Sequence, residues 1–86
     1  MMADEKEIGE VTHYFNKIGV AVIKLTDNLK SGETIHIKGA TTDFSQKVES
    51  MQIEHETIDE AKKGESIGLK VSKPVREKDK VYRVSE

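Results

Sequence analysis

Three groups of residues in this 86-residue chain have the chemistry to do work: its histidines, a crowd of carboxylates, and a run of cations near the C-terminus. A zinc site needs three or four ligands converging at fixed distances. His13, His36 and His55 fall in separate segments, with no H-E-x-x-H pattern and no cysteine to complete a set. They read as exposed or half-exposed side chains rather than ligands. Glu54, Glu56, Asp59 and Glu60 crowd one short polar stretch. General acid–base catalysis asks for paired carboxylates in a cleft with displaced pKa values, whereas a run of charge on a turn is ordinarily a solvated face. No serine or threonine has a histidine partner at a recognisable spacing, which leaves nucleophilic catalysis without a candidate. The residues assign no catalytic, cofactor-binding or metal-binding position.

The cations are the remaining candidates. Lys70, Lys73, Arg76, Lys78, Lys80 and Arg83 all fall in the last seventeen residues, interrupted by Glu77 and Asp79. On a folded sheet they form a local basic strip that RNA or another anionic partner would contact through salt-sensitive pairing. The competing account is edge decoration, since lysine on an edge strand discourages strand-to-strand aggregation.

Composition bounds what can position these residues. A chain of this length buries roughly 60% of its unfolded surface, so it holds one modest core in one domain. With no cysteine, disulfides and thiolate-metal staples are excluded, and apolar burial with backbone ladders must supply the stability. Charged residues make up 35% of the chain, but the net charge is only −2, which does not point to general nucleic-acid binding. Aromatic side chains are few (Tyr14, Phe15, Phe44 and Tyr82), so a base-stacking platform has little to build with. No apolar run reaches the length of a membrane span. The opening MMADEKE is acidic and lacks the apolar core of a signal peptide, so a cytoplasmic location is expected. No G-x-x-x-x-G-K-[ST] occurs, so no nucleotide is expected.

The pattern along the chain is one of short strands. Residues 1–6 read as a flexible tail, and 7–86 as a single domain. Strands are expected over 7–15, with a bulge or bend at Gly9, over the apolar Gly19–Leu25, and over 33–38, where Ile35 and Ile37 alternate with Thr34, His36 and Lys38. Leu29 is expected to fold back onto the core from a polar connection. The centre is ambiguous. Phe44, Val48, Met51, His55, Ile58 and Lys62 fall at helical spacing, while Val48–Ile53 also reads as a strand followed by an acidic turn. The surrounding strands and the Gly64 corner favour the strand, with a single helical turn over Ile58–Lys62. Ser66–Val71 and Lys80–Val84 complete about six strands, with Pro74 marking the exit between them. Gly32, Gly64 and Gly68 read as structural corners.

Several of these segments resemble the second domain of elongation factor Tu and its relatives: Ile8-Gly9-Glu10-Val11, Leu29 through Ile37, Val48 through Ile53, Glu60 through Leu69, and Asp79-Lys80-Val81-Tyr82. The resemblance implies an all-β, six-stranded closed Greek-key barrel. It also implies a non-enzymatic module binding RNA or a ribonucleoprotein partner in translation, with no cofactor. Glu10 stands where that family often has arginine, and Ser72-Lys73-Pro74 replaces its R-G, so no residue of its aminoacyl-end pocket carries over. A similar barrel is appended to some collagenase-like peptidases. That implies an alternative, a protein-interaction accessory module working with a separately encoded enzyme.

Overall fold

The computed structural model describes residues 4–54 and 56–85, and every regular element among them is a strand. The strands are β1 (Asp4–Phe15), β2 (Val20–Leu25), β3 (Leu29–Lys30), β4 (Thr34–Lys38) and β5 (Asp43–Lys47). They continue with β6 (Met51–Ile53), β7 (Glu56–Ile58), β8 (Glu60–Ala61), β9 (Ser66–Lys70) and β10 (Lys80–Ser85). The ambiguous centre therefore holds no helix. The helical spacing is not one face: Phe44 on β5, Val48 in the link after it and Met51 on β6 are buried, whereas Ile58 on β7 is half-buried and Lys62 is exposed. The helical turn expected at Ile58–Lys62 is instead the end of β7, a bend and β8.

Eight strands form one antiparallel sheet in the order β5-β4-β10-β1-β2-β9-β6-β7, and β3 pairs with β8 as a separate short ribbon. The expected closed six-stranded Greek-key barrel is corrected here. Among the described residues no backbone ladder joins β5 to β6, β7 or β9. A side chain makes that connection. The Gln46 amide on β5 donates to the Lys70 carbonyl at 2.9 Å and accepts from the Ser72 N–H at 2.8 Å. One amide group thus presents the donor and acceptor that a neighbouring strand would have offered.

The tail expected over residues 1–6 is also revised. Residues 1–3 lie outside the described residues, but Asp4, Glu5 and Lys6 open β1 and pair with Ser85, Val84 and Arg83 of β10. β1 serves two neighbours, β10 along its first half and β2 along its second. Register shifts at Glu7/Gly9 and at Val11/His13 bend it between them.

Alternation explains the core. On β4, Ile35 and Ile37 are fully buried while Lys38 is exposed; on β2, Ala21, Ile23 and Leu25 point inward. Val11 and Val81 fill the same interior from β1 and β10, and Leu29 closes one end by packing inward opposite Ala61. At the corner before β9, Gly64 has φ +91° with open space around it, so its need is conformational rather than steric.

Candidate functional site

A groove of about 820 Å³ opens at one end of the sheet, where three connections meet. The β1–β2 hairpin contributes Tyr14 and Asn16, and the segment leading into β5 contributes Thr41 to Phe44. The β9–β10 connection contributes Lys73, Pro74, Val75 and Arg76. Phe44 and Val75 are buried at its floor, and Thr42 is buried beside them.

The local chemistry of the chain fixes each wall. The last connection is held by a turn over residues 76–79. The Asp79 carboxylate accepts from the Arg76 N–H at 2.8 Å, the Asp79 N–H donates to the Arg76 carbonyl at 3.1 Å, and Lys78 takes φ 76°. This turn is tied to the bend of β1. The Lys78 N–H donates to the Val11 carbonyl at 2.7 Å, and the Val11 N–H donates to the Asp79 carbonyl at 2.8 Å. On the opposite wall, Gly39 N–H donates to the Thr42 carbonyl at 2.7 Å and closes the loop between β4 and β5. The Lys73 ammonium lies 6.0 Å from the Phe44 ring centre, at the outer limit of a cation–π contact.

One carboxylate, Asp43, lines the groove, and it is already engaged. His36 on β4 stands between two carboxylates, its Nδ1 2.7 Å from Glu5 Oε2 and its Nε2 2.5 Å from Asp43 Oδ1. The Glu5 hydrogen bond, then that of Asp43, pushes the imidazole above 6.5, with burial opposing. The imidazolium donates from both nitrogens, and the same pairing lowers the Asp43 pKa. Because the carboxylates occupy opposite nitrogens, they share no common point with the ring where a metal would sit. Among the described residues no group of three His, Asp or Glu side chains is arranged to hold one.

The six cations singled out in the sequence do not form one strip. Lys73 and Arg76 meet at the groove. Lys70 lines a separate recess of about 310 Å³ beside Gln46 and Ser72. Lys80 lies on β10 within 3.5 Å of Glu10 Oε2 and 3.9 Å of Glu7 Oε2. Arg83 is a structural pin: it donates to the Asn28 carbonyl at 2.6 Å and to Asp27 Oδ2 at 3.2 Å, with Glu33 at 3.8 Å. Lys78 gives its backbone to the turn and keeps its side chain exposed.

The other sequence candidates are scattered. His13 is half-exposed, 3.5 Å from Glu77 Oε2 and edge-on to the Phe15 ring. His55 lies outside the described residues. Glu54, Glu56, Asp59 and Glu60 are all exposed, as a solvated turn requires. Sequence reasoning missed the His36 clamp, because Glu5 is 31 residues away and no local pattern links the two. It also missed that Tyr14 and Phe44 line one groove.

No protein-family model matches the chain. It is 47% identical over 81 residues to an uncharacterised protease of Methanocaldococcus jannaschii, covering 93% of this chain and 20% of that protein. It is 38% identical over 78 residues to a collagenase of Porphyromonas gingivalis, covering 88% of this chain and 22% of that protein. The chain thus spans about a fifth of the length of these relatives. Among solved structures, the C-terminal domain of a U32 peptidase from Geobacillus thermoleovorans superposes with TM-score 0.84 at 20% identity, over 88% of this chain and 96% of that domain. A second structure of that domain gives TM-score 0.85 over 91% of each. At this identity the likeness establishes the fold. These findings overturn the resemblance to elongation factor Tu and, with it, the translation and RNA-binding reading. The segments that carried it were glycine corners flanked by short alternating strands, which any small all-β domain needs for the same steric reasons.

Proposed function

We propose that this chain is a non-catalytic accessory module of a collagenase-like peptidase, the catalytic part being supplied by another polypeptide segment. The observation that carries the reading is the 47% identity over 81 residues to one fifth of a protease. The superposition on a domain set apart at the C-terminus of a U32 peptidase supports it.

The side chains support the non-catalytic part of the reading. Both ring nitrogens of His36 are engaged by carboxylates, which leaves that imidazole no nitrogen free to deprotonate a serine or a water. His13 lies at the exposed hairpin, paired with Glu77 rather than with a hydroxyl. The chain has no cysteine. The groove offers apolar walls and cations, a composition suited to holding a polypeptide rather than cleaving one.

Two measurements test this. The purified chain, incubated with fluorescein-labelled gelatin, is expected to release no fluorescent peptide; cleavage that persists through repurification would contradict the non-catalytic reading. Immobilised chain is expected to retain the M. jannaschii protease from which the matching 81 residues have been deleted. Failure to retain it at low and moderate salt would remove the accessory role.

A further inference from the structure

The groove combines three features that the proposed role does not by itself require. Its floor is apolar, with Phe44 and Val75 buried and Tyr14 half-buried beside them. Its rim carries Lys73 and Arg76, and among the described residues neither has a carboxylate within ion-pairing distance. The one acidic side chain in its wall, Asp43, is hydrogen-bonded to His36, whose charge it shares with Glu5. Tyr14 and Asn16 also line a neighbouring recess at the hairpin tip, with Phe15 and Ile18. There Phe15 is 47% and Ile18 60% exposed, the two large apolar side chains left open to solvent among the described residues.

We infer that this groove is a docking site for an extended acidic polypeptide segment that also carries apolar side chains. The chemistry selects that occupant by charge complementarity. The groove's own lining carries two cations, Lys73 and Arg76, against one carboxylate, Asp43, an excess opposite in sign to the chain's net charge of −2. Aromatic residues and arginine are the side chains enriched in the binding centres of protein interfaces, and lone exposed apolar residues beside such a centre extend it. A volume of about 820 Å³ holds several residues of extended chain and is far larger than a single carboxylate or phosphate needs. The walls come from three connections pinned by Asp79, Gly39 and the bend of β1, so the site is formed before the partner arrives and little ordering cost is paid on binding. The inference rests on the proposed function only for who owns the segment; the groove and its charge stand without it.

The test uses fluorescence anisotropy with labelled twelve-residue probes: one alternating glutamate with leucine and phenylalanine, one with lysine replacing every glutamate, and a single-stranded DNA oligomer of equal negative charge. The acidic peptide is expected to bind and to weaken as salt rises from about 50 to about 500 mM, while the lysine peptide does not bind. Lys73→Glu with Arg76→Glu is expected to weaken the acidic peptide about tenfold or more. Phe15→Ser with Ile18→Ser, both exposed, is expected to weaken it several-fold, and Lys24→Glu at an exposed position of β2 to leave it unchanged. Equal binding of both peptides, equal binding of the DNA, or indifference to both double variants would overturn the inference. The two readings fail separately. Retention of the truncated protease by the Lys73→Glu/Arg76→Glu variant sinks the groove alone. Peptide binding without protease binding sinks the accessory role alone.

Discussion

Gly39 lies directly beneath the Asp79 carboxylate, so close that a β-carbon at residue 39 would overlap it. Asp79 is buried and commits its other carboxylate oxygen to the Arg76 N–H, so it has no freedom to step aside. This one contact joins the loop after β4 to the turn before β10 and so sets the distance between two walls of the groove.

Gly39→Ala is therefore expected to destabilise the fold by about 1–3 kcal/mol, the usual cost of forcing extra atoms into a filled site. Urea unfolding followed by circular dichroism measures it. In Gly39→Ala/Asp79→Ala the clash is gone, so the double variant is expected to lose less than the sum of the two singles. Strict additivity would show that the two residues do not bear on one another.

Arg83 is expected to matter for stability and not for binding. Its guanidinium ties β10 to the connection between β2 and β3 through the Asn28 carbonyl and Asp27. Arg83→Ala is expected to cost about 1 kcal/mol, since the Asn28 carbonyl and the Asp27 carboxylate both lose a charged donor. Arg83→Lys recovers only part, because an ammonium cannot span both acceptors. The acidic probe should bind Arg83→Ala as it binds the parent, provided binding is measured where both are folded.

The His36 clamp gives stability a dependence on pH at the alkaline side. Glu5 from β1 and Asp43 from β5 face the ring, Tyr82 is its cross-strand neighbour on β10, and Lys38 shares its strand. The folded pKa is raised above 6.5, so the contribution is fully present below 6.5 and lost as pH rises through the folded value. The urea midpoint of the parent is expected to fall across that window, and His36→Gln to flatten the fall. An NMR titration placing the His36 ring at or below 6.5 would contradict the clamp.

At the acid side the sign reverses. The Lys6 ammonium hydrogen-bonded to Asp27, helped by the Asn28 N–H, holds that carboxyl at about 2 against an ordinary 3.8. Its contribution is present above 3.8 and is lost as pH falls toward 2. Asp27→Asn is expected to unfold over a shallower acid limb than the parent, read by circular dichroism between pH 5 and pH 2.

Much of the fold was legible because alternation reports burial directly. Ile35 and Ile37 against Thr34, His36 and Lys38 placed β4 and its buried face, and Leu29 was rightly turned inward. What failed were segments whose strand character comes from partners rather than composition. β5 reads Asp-Phe-Ser-Gln-Lys, with one apolar residue, and is a strand because β4 pairs with all five. Sheet closure is not legible from the residues: the closed barrel came with the elongation-factor resemblance, whereas the seam beside β5 is bridged by the Gln46 side chain. The site was half legible. Lys73 and Arg76 were named, but grouped with Lys80 and Arg83, whose charges are spent on Glu7, Glu10, Asp27 and Glu33; only the folded register separates the two sets.

The central claim is that this chain docks onto a peptidase and does so through the groove. Isothermal titration of the chain into the M. jannaschii protease lacking its matching 81 residues tests it most directly. The account predicts a saturable association near one to one, of about micromolar strength, abolished or strongly weakened by Lys73→Glu/Arg76→Glu. No heat of binding at any accessible concentration, or binding untouched by that charge reversal, would contradict it.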